Sequence, residues 1–167
     1  MAIRQIVELG NPLLREKSRE VTVLEEAFPT LDDLRDTLHE FQRTHGFGRG
    51  IAAIQIGIPQ RVIYIEIEGK CYELIHPEIV YSSEEKFKMW DDCFSFPNLM
   101  VHVERSKAVS VRYQDRSGGW QRLDAVDAFA ELLQHETDHL DGVLSIDRAL
   151  DRHESFMTRT EYLKTLK

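Results

Sequence analysis

The amino-acid sequence predicts an α+β fold: one compact domain over residues 1–167, with antiparallel or mixed strands around a central helix. Three observations carry this. Apolar residues recur at helical spacing near both ends of the chain, and runs with strand character are grouped between them rather than alternating with helices. No Pro/Ser-rich stretch or internal repeat marks a linker.

Taken in order, Thr30 opens a capping box with Asp33, and Leu31, Leu34, Leu38 and Phe41 follow at helical spacing. Gly46 is placed to end that helix. The Gly-rich stretch "GFGRGIAAIQIGIPQ" reads as a loop leading into the strand "RVIYIEI". "KCYELIHPEIV" and "AVSVRYQD" read as further strands, the latter with Val109, Val111 and Tyr113 alternating against polar residues. "RSGGW" is a turn. Asp124 is read as the cap of a second helix that ends at Gly142. "DRHESFMTRTEYLK" reads as a short terminal helix capped by Asp151 and Glu154.

Composition narrows the function classes. A chain of 167 residues, 42% hydrophobic and 30% charged, can bury a core without covalent staples. The net charge of −8 argues against nucleic acid as a partner, since phosphate binding needs a basic face. No apolar run approaches the roughly 18 residues of a membrane span. The start has no apolar stretch with a cleavage site, so no signal peptide is expected. Cys71 and Cys93 form no paired motif, which makes a disulfide framework unexpected and a reducing cytoplasm the default.

The chemistry concentrates in "LLQHETDHLDG", residues 132–142. Residues four apart on a helix share a face, with Cβ atoms roughly 6 Å apart, so His135 and His139 can aim at one ion. Glu136 lies about 100° further round. It can reach a metal-activated water as a general base that later returns the proton to a leaving amine. The alternative is an ordinary polar helix face.

A catalytic zinc-type centre needs a third protein ligand. One class of His-Glu-x-x-His protease places a histidine where this chain has Ser145, so that class fails. Another takes a downstream glutamate, for which Glu161 is the well-spaced residue. Cys93 in "WDDCFSFP" is the stronger third ligand, because thiolate suits borderline divalent metals. On its own it reads as a buried core cysteine, and the His pair reverses that reading.

Three segments together resemble one family. "GRGIAAIQIG" resembles the G-x-G-[LI]-A-A-x-Q motif of peptide deformylases, "DDCFS" their E-G-C-L-S, and "QHETDHLDG" their Q-H-E-x-D-H-L-x-G. "LGNPLLREKS" resembles the family's N-terminal stretch, so the likeness spans roughly residues 3 to 150. It implies a deformylase-like fold around a metal-binding helix, and one divalent metal held by Cys93, His135 and His139 with water as fourth ligand. Fe(II) is expected first, with zinc, nickel or cobalt able to replace it. The implied reaction is hydrolysis of an N-terminal formyl amide, usually on formyl-methionyl peptides, releasing formate. Glu136 would be the acid/base. The Gln55 amide and the Phe94 backbone N–H would stabilise the oxyanion, at about 2.7–4 kcal/mol per donor. Gly48, Arg49, Gly50, Asp92, Glu131 and Leu132 would face the substrate. The glycines allow close backbone approach, and the loop pairs with the peptide like an added strand. A transient ribosome contact is left open.

Departures from the family pattern fall in the substrate-facing segments. Asp91 replaces a glutamate and is expected to pair with Arg105. Asp92 stands where glycine is usual, adding bulk and charge, and Phe94 replaces leucine. Glu131 and Arg49 occupy positions that are usually apolar. A buried carboxylate must find a partner, so Glu131 is expected to pair with Arg49, turn to solvent, or meet a cationic substrate group. The competing readings are a relative acting on another N-formyl amine or peptide, and a metal-binding protein without turnover.

Overall fold

The computed structural model describes residues 2–167. Its elements are α1 (Ala27–His45), β1 (Gly50–Ala52), β2 (Val62–Ile67), β3 (Lys70–Ser82), β4 (Lys86–Asp91), β5 (Leu99–Ser106), β6 (Ala108–Gln114), β7 (Trp120–Val126), α2 (Asp127–Leu140), β8 (Phe156–Thr158) and α3 (Arg159–Thr165). The strands form a five-stranded sheet in the order β1-β2-β3-β6-β7 and a three-stranded sheet in the order β4-β5-β8, with every strand pair antiparallel. The predicted α+β class holds.

In α1 the expected apolar stripe is buried: Leu31, Leu34, Leu38 and Phe41 pack against β1 and β2. The start differs from expectation. Thr30 does not cap, because its hydroxyl donates to Gln60 Oε1 at 2.7 Å, and Asp33 accepts from the Ala2 N–H and Arg4. The helix begins a turn earlier, fed by a 3-10 turn at Leu24–Glu26. Gly46 ends it as expected, in the left-handed region at φ 77°, where its N–H bonds the Gln42 carbonyl.

Asp124 is likewise no helix cap. Residues 120–126 pair along β6 as an edge strand, and the Asp124 carboxylate accepts from Ser110 and Arg122. The ladder gained by pairing outweighs a local capping preference, so α2 starts only at Asp127. The terminal segment also corrects the reading. Asp151 accepts from the His153 and Glu154 N–H groups in a local turn, residues 156–158 pair with β5, and only then does α3 begin.

α2 is the pivot. Nine of its fourteen residues are buried, more than a surface helix would hide. Ala130, Leu133 and Leu140 pack with Ile63, Ile65 and Leu74 of the large sheet. Each fully buried leucine or isoleucine there contributes about 1.5–3 kcal/mol. The small sheet sits nearby, with Val101 and Val103 of β5 packed beside Cys93, Phe96 and Leu144. The site-bearing helix is thus held by two sheets.

Candidate metal centre and substrate cleft

The helical spacing of His135 and His139 does bring both rings to one side of α2. Their Nε2 atoms are 3.2 Å apart, and Cys93 Sγ is 3.4 Å from His139 Nε2. Ligand atoms of all three residues lie within 4.8 Å of one another, and all three are buried. A sulfur and two imidazole nitrogens that converge this closely can be bridged by one cation. The donor set fits a borderline divalent metal.

Cys93 follows the end of β4, and its side chain is packed by Leu14, Phe96 and Leu144. Burial pushes its thiol up, an effect that the neighbouring His135 charge opposes. Burial also disfavours a charged His135, but Asp91 and Cys93 outweigh it and hold that ring well above its ordinary value. For His139, burial and the His135 charge both act downward, keeping the ring neutral with a lone pair to offer.

Asp91 orients His135 by accepting from its Nδ1–H at 2.9 Å, which leaves Nε2 as the ligating nitrogen. Asp91 pairs in turn with Arg105 at 3.0 Å, as expected, and Arg105 also donates to Asp138. Asp138 takes two further hydrogen bonds from Arg148. Asp91 is held below the usual carboxylate range: burial raises it, but His135 and Arg105 together pull it down.

Glu136 is buried, and its Oε2 has no hydrogen-bond partner among the described residues. Burial is the main cause that pushes its carboxyl up to about 7, partly opposed by the His135 charge. A group near neutrality can both take and return a proton. Gln55 sits on a 3-10 turn directly after β1. Its Oε1 accepts from the Ala52 N–H at 3.0 Å, which turns its Nε2 toward Ser95 Oγ and Cys93 Sγ, at 3.3 and 3.6 Å. The Phe94 ring stacks on Phe41 with centroids 3.7 Å apart, anchoring the backbone beside Cys93.

These groups line a cavity of about 430 Å³. All the expected catalytic and substrate-facing residues border it: Gln55, Phe94 and Glu136, then Gly48, Arg49, Gly50, Asp92, Glu131 and Leu132. Cys93 and His135 border it too, whereas His139, buried in the same cluster, does not. β1 is the edge of its sheet, and a Cβ on Gly50 would lie 2.9 Å from Glu136 Oε1.

Glu131 is 1% exposed and pairs with Arg49 at 2.8 Å, so it does not turn to the rim. Burial raises its carboxyl, helped by Asp91 and opposed by His135 and Arg49. Asp92 borders the cavity with its carboxylate paired to Arg159 at 2.6 Å. Glu161 is no ligand: it is exposed and pairs with Lys164. Phe47, Trp90, Met100, Arg159 and Tyr162 complete the cavity wall and escaped the sequence reading, having no recurrent spacing to mark them.

A Cys/His/His cluster with a buried carboxyl beside it, on an α+β frame, has the parts of a metal-dependent hydrolase. Comparison with known proteins makes this specific. The family model described as polypeptide deformylase matches residues 3–155. The peptide deformylase of Bartonella tribocorum is 41% identical over 155 residues, covering 88% of this chain and 84% of that protein. That of Caldanaerobacter subterraneus subsp. tengcongensis is 39% identical, with 92% and 96% covered. The crystal structure of the Thermotoga maritima peptide deformylase superposes with a TM-score of 0.84 at 33% identity, covering 90% of this chain and all of that one. The chain belongs to the polypeptide deformylase family.

Proposed function

We propose that this chain removes the formyl group from the N-terminus of formylated peptides, with Cys93, His135 and His139 holding one divalent metal. The observation that carries this is the convergence of those three donors within 4.8 Å, next to a Glu136 oxygen left without a partner. Fe(II) is the ion we favour, with zinc, nickel or cobalt as substitutes, on the chemistry of a thiolate and two imidazoles. When bound, the metal supplies Lewis acidity that polarises a carbonyl and makes water a nucleophile at neutral pH.

The protein's own groups do the rest. Glu136 takes the proton of the attacking water and delivers it to the departing peptide amine. The Gln55 Nε2–H and the Phe94 N–H donate to the oxygen of the formyl carbonyl as charge gathers on it. The peptide lies along the open edge of β1, where Gly48 and Gly50 leave room for its backbone. Arg49, Glu131, Leu132 and Asp92 shape the walls. We place the reaction in the cytoplasm and regard the 167 residues as one domain; no described helix is long and apolar enough to cross a membrane. The charge of −8 supports a peptide rather than a nucleic acid as partner, and any ribosome contact as transient.

Formate release from formyl-Met-Ala-Ser by metal-loaded protein tests the assignment. Glu136→Gln is expected to keep its metal and lose turnover at least 100-fold, whereas Cys93→Ala is expected to lose the metal. Unchanged turnover in the first or unchanged metal content in the second refutes the corresponding role.

A further inference from the structure

The family match ends at residue 155, yet two residues beyond it, Arg159 and Tyr162, line the cavity that holds Cys93, Gln55 and Glu136. Arg159 opens α3 and is tied to both loops that frame the cleft. Its Nη2 donates to Asp92 at 2.6 Å and its Nε to the Pro97 carbonyl at 2.8 Å, while its backbone N–H bonds the Asn98 carbonyl. Its guanidinium also lies 3.5 Å over the ring of Phe47, at the mouth of the Gly-rich loop. Tyr162, one turn further along α3, faces Trp90 with ring centroids 6.3 Å apart, and Trp90 borders the same cavity.

A guanidinium has five N–H donors, and the protein spends two of Arg159's. The rest belong to a side chain that is 20% exposed and borders the cavity. Planar, pre-organised donors flanked by aromatic rings suit the carbonyl groups and side chains of an extended peptide. In the proposed reaction the formyl group goes to the buried groups of the same cavity, Gln55, Cys93 and Glu136.

We propose that the C-terminal segment forms the outer wall of the substrate cleft, with Arg159 donating to a backbone carbonyl of the peptide beyond its formylated residue. Trp90 and Tyr162 supply the apolar sides of that subsite. Asp92 is a positioning residue that holds the guanidinium in place. This rests on the deformylase reading only in taking a formylated peptide as the occupant.

The test compares formyl-methionine, which has no residue beyond the first, with formyl-Met-Ala-Ser. For Arg159→Met the tripeptide KM is expected to rise about 10-fold with kcat nearly unchanged, the scale of one hydrogen bond to a charged donor. KM for formyl-methionine is expected to stay constant, and Arg159→Lys to recover part of the tripeptide affinity. Asp92→Asn should weaken the tripeptide alone and by less. An activity-independent readout is Trp90 fluorescence on titration with the product Met-Ala-Ser, in a Trp120→Phe background. Its Kd is expected to rise by the same factor in Arg159→Met. Equal effects on both substrates, or none on either, overturn the wall. Weakened Met-Ala-Ser binding in a protein that turns over neither substrate upholds the wall and overturns the deformylase reading instead.

Discussion

Arg105→Met tests the frame behind the metal ligands. The arginine side chain is 2% exposed and is shared between Asp91, also 2% exposed, and Asp138, 12% exposed. Methionine keeps most of the volume and apolar contact while removing the charge. Breaking a buried pair by deleting one partner costs about 3–5 kcal/mol, because the other charge stays buried. Here the lower end applies: Asp138 keeps both bonds from Arg148, and Asp91 keeps His135. About 3 kcal/mol, at roughly 2–4 °C per kcal/mol for a chain of this size, is a Tm loss of about 6–12 °C. Calorimetry on metal-free protein is the assay, since bound metal would add its own stabilisation. Because Asp91 then loses a restraint, metal affinity is expected to fall about 10–100-fold, read by competition with a chelator. A Tm shift below about 2 °C with unchanged metal affinity refutes the claim that this network supports the ligands.

Three further outcomes are expected. Arg49→Leu should destabilise the protein more than Arg49→Leu combined with Glu131→Leu, since the single change strands a buried carboxylate and the double removes it; equal melting points would deny that the pair matters. Gly50→Ala would bring a Cβ to 2.9 Å from Glu136 Oε1 and 3.1 Å from Leu132 Cδ1, and the displaced carboxyl should lower kcat about 100-fold; wild-type kinetics would mean that Glu136 tolerates movement. Asp33 is held below the usual carboxylate range: burial raises it, but its bonds from Arg4 and the Ala2 N–H win. Its contribution is therefore complete above the unfolded value near ~3.9 and is lost as pH falls through the lower folded value. Urea midpoints below about pH 4 should drop less steeply in Asp33→Asn, and identical slopes would exclude Asp33 from acid unfolding.

What could be read from the chain and what could not divides along the range of the interactions. His135, Glu136 and His139 lie within five residues, so helical periodicity alone puts the two rings on one side and the carboxyl beside them. The α1 stripe and its Gly46 stop are equally local. Local signals misled where a distant partner competed: Thr30 went to Gln60, and Asp124 went to Ser110 inside a strand that β6 recruited. Cys93 by itself reads as an ordinary core cysteine; the His pair and its motif marked it as the third ligand, and only the fold brings it, across 46 residues, against His139. The Arg49–Glu131 pair spans 82 residues, and opposite charges in two segments expected to face the substrate made it one of the stated outcomes. The Asp92–Arg159 tie spans 67, and no spacing announces it. Short-range order follows from backbone geometry repeated residue by residue. Which charges meet inside the cleft is decided by sheet pairing and by the cost of burying any one of them alone.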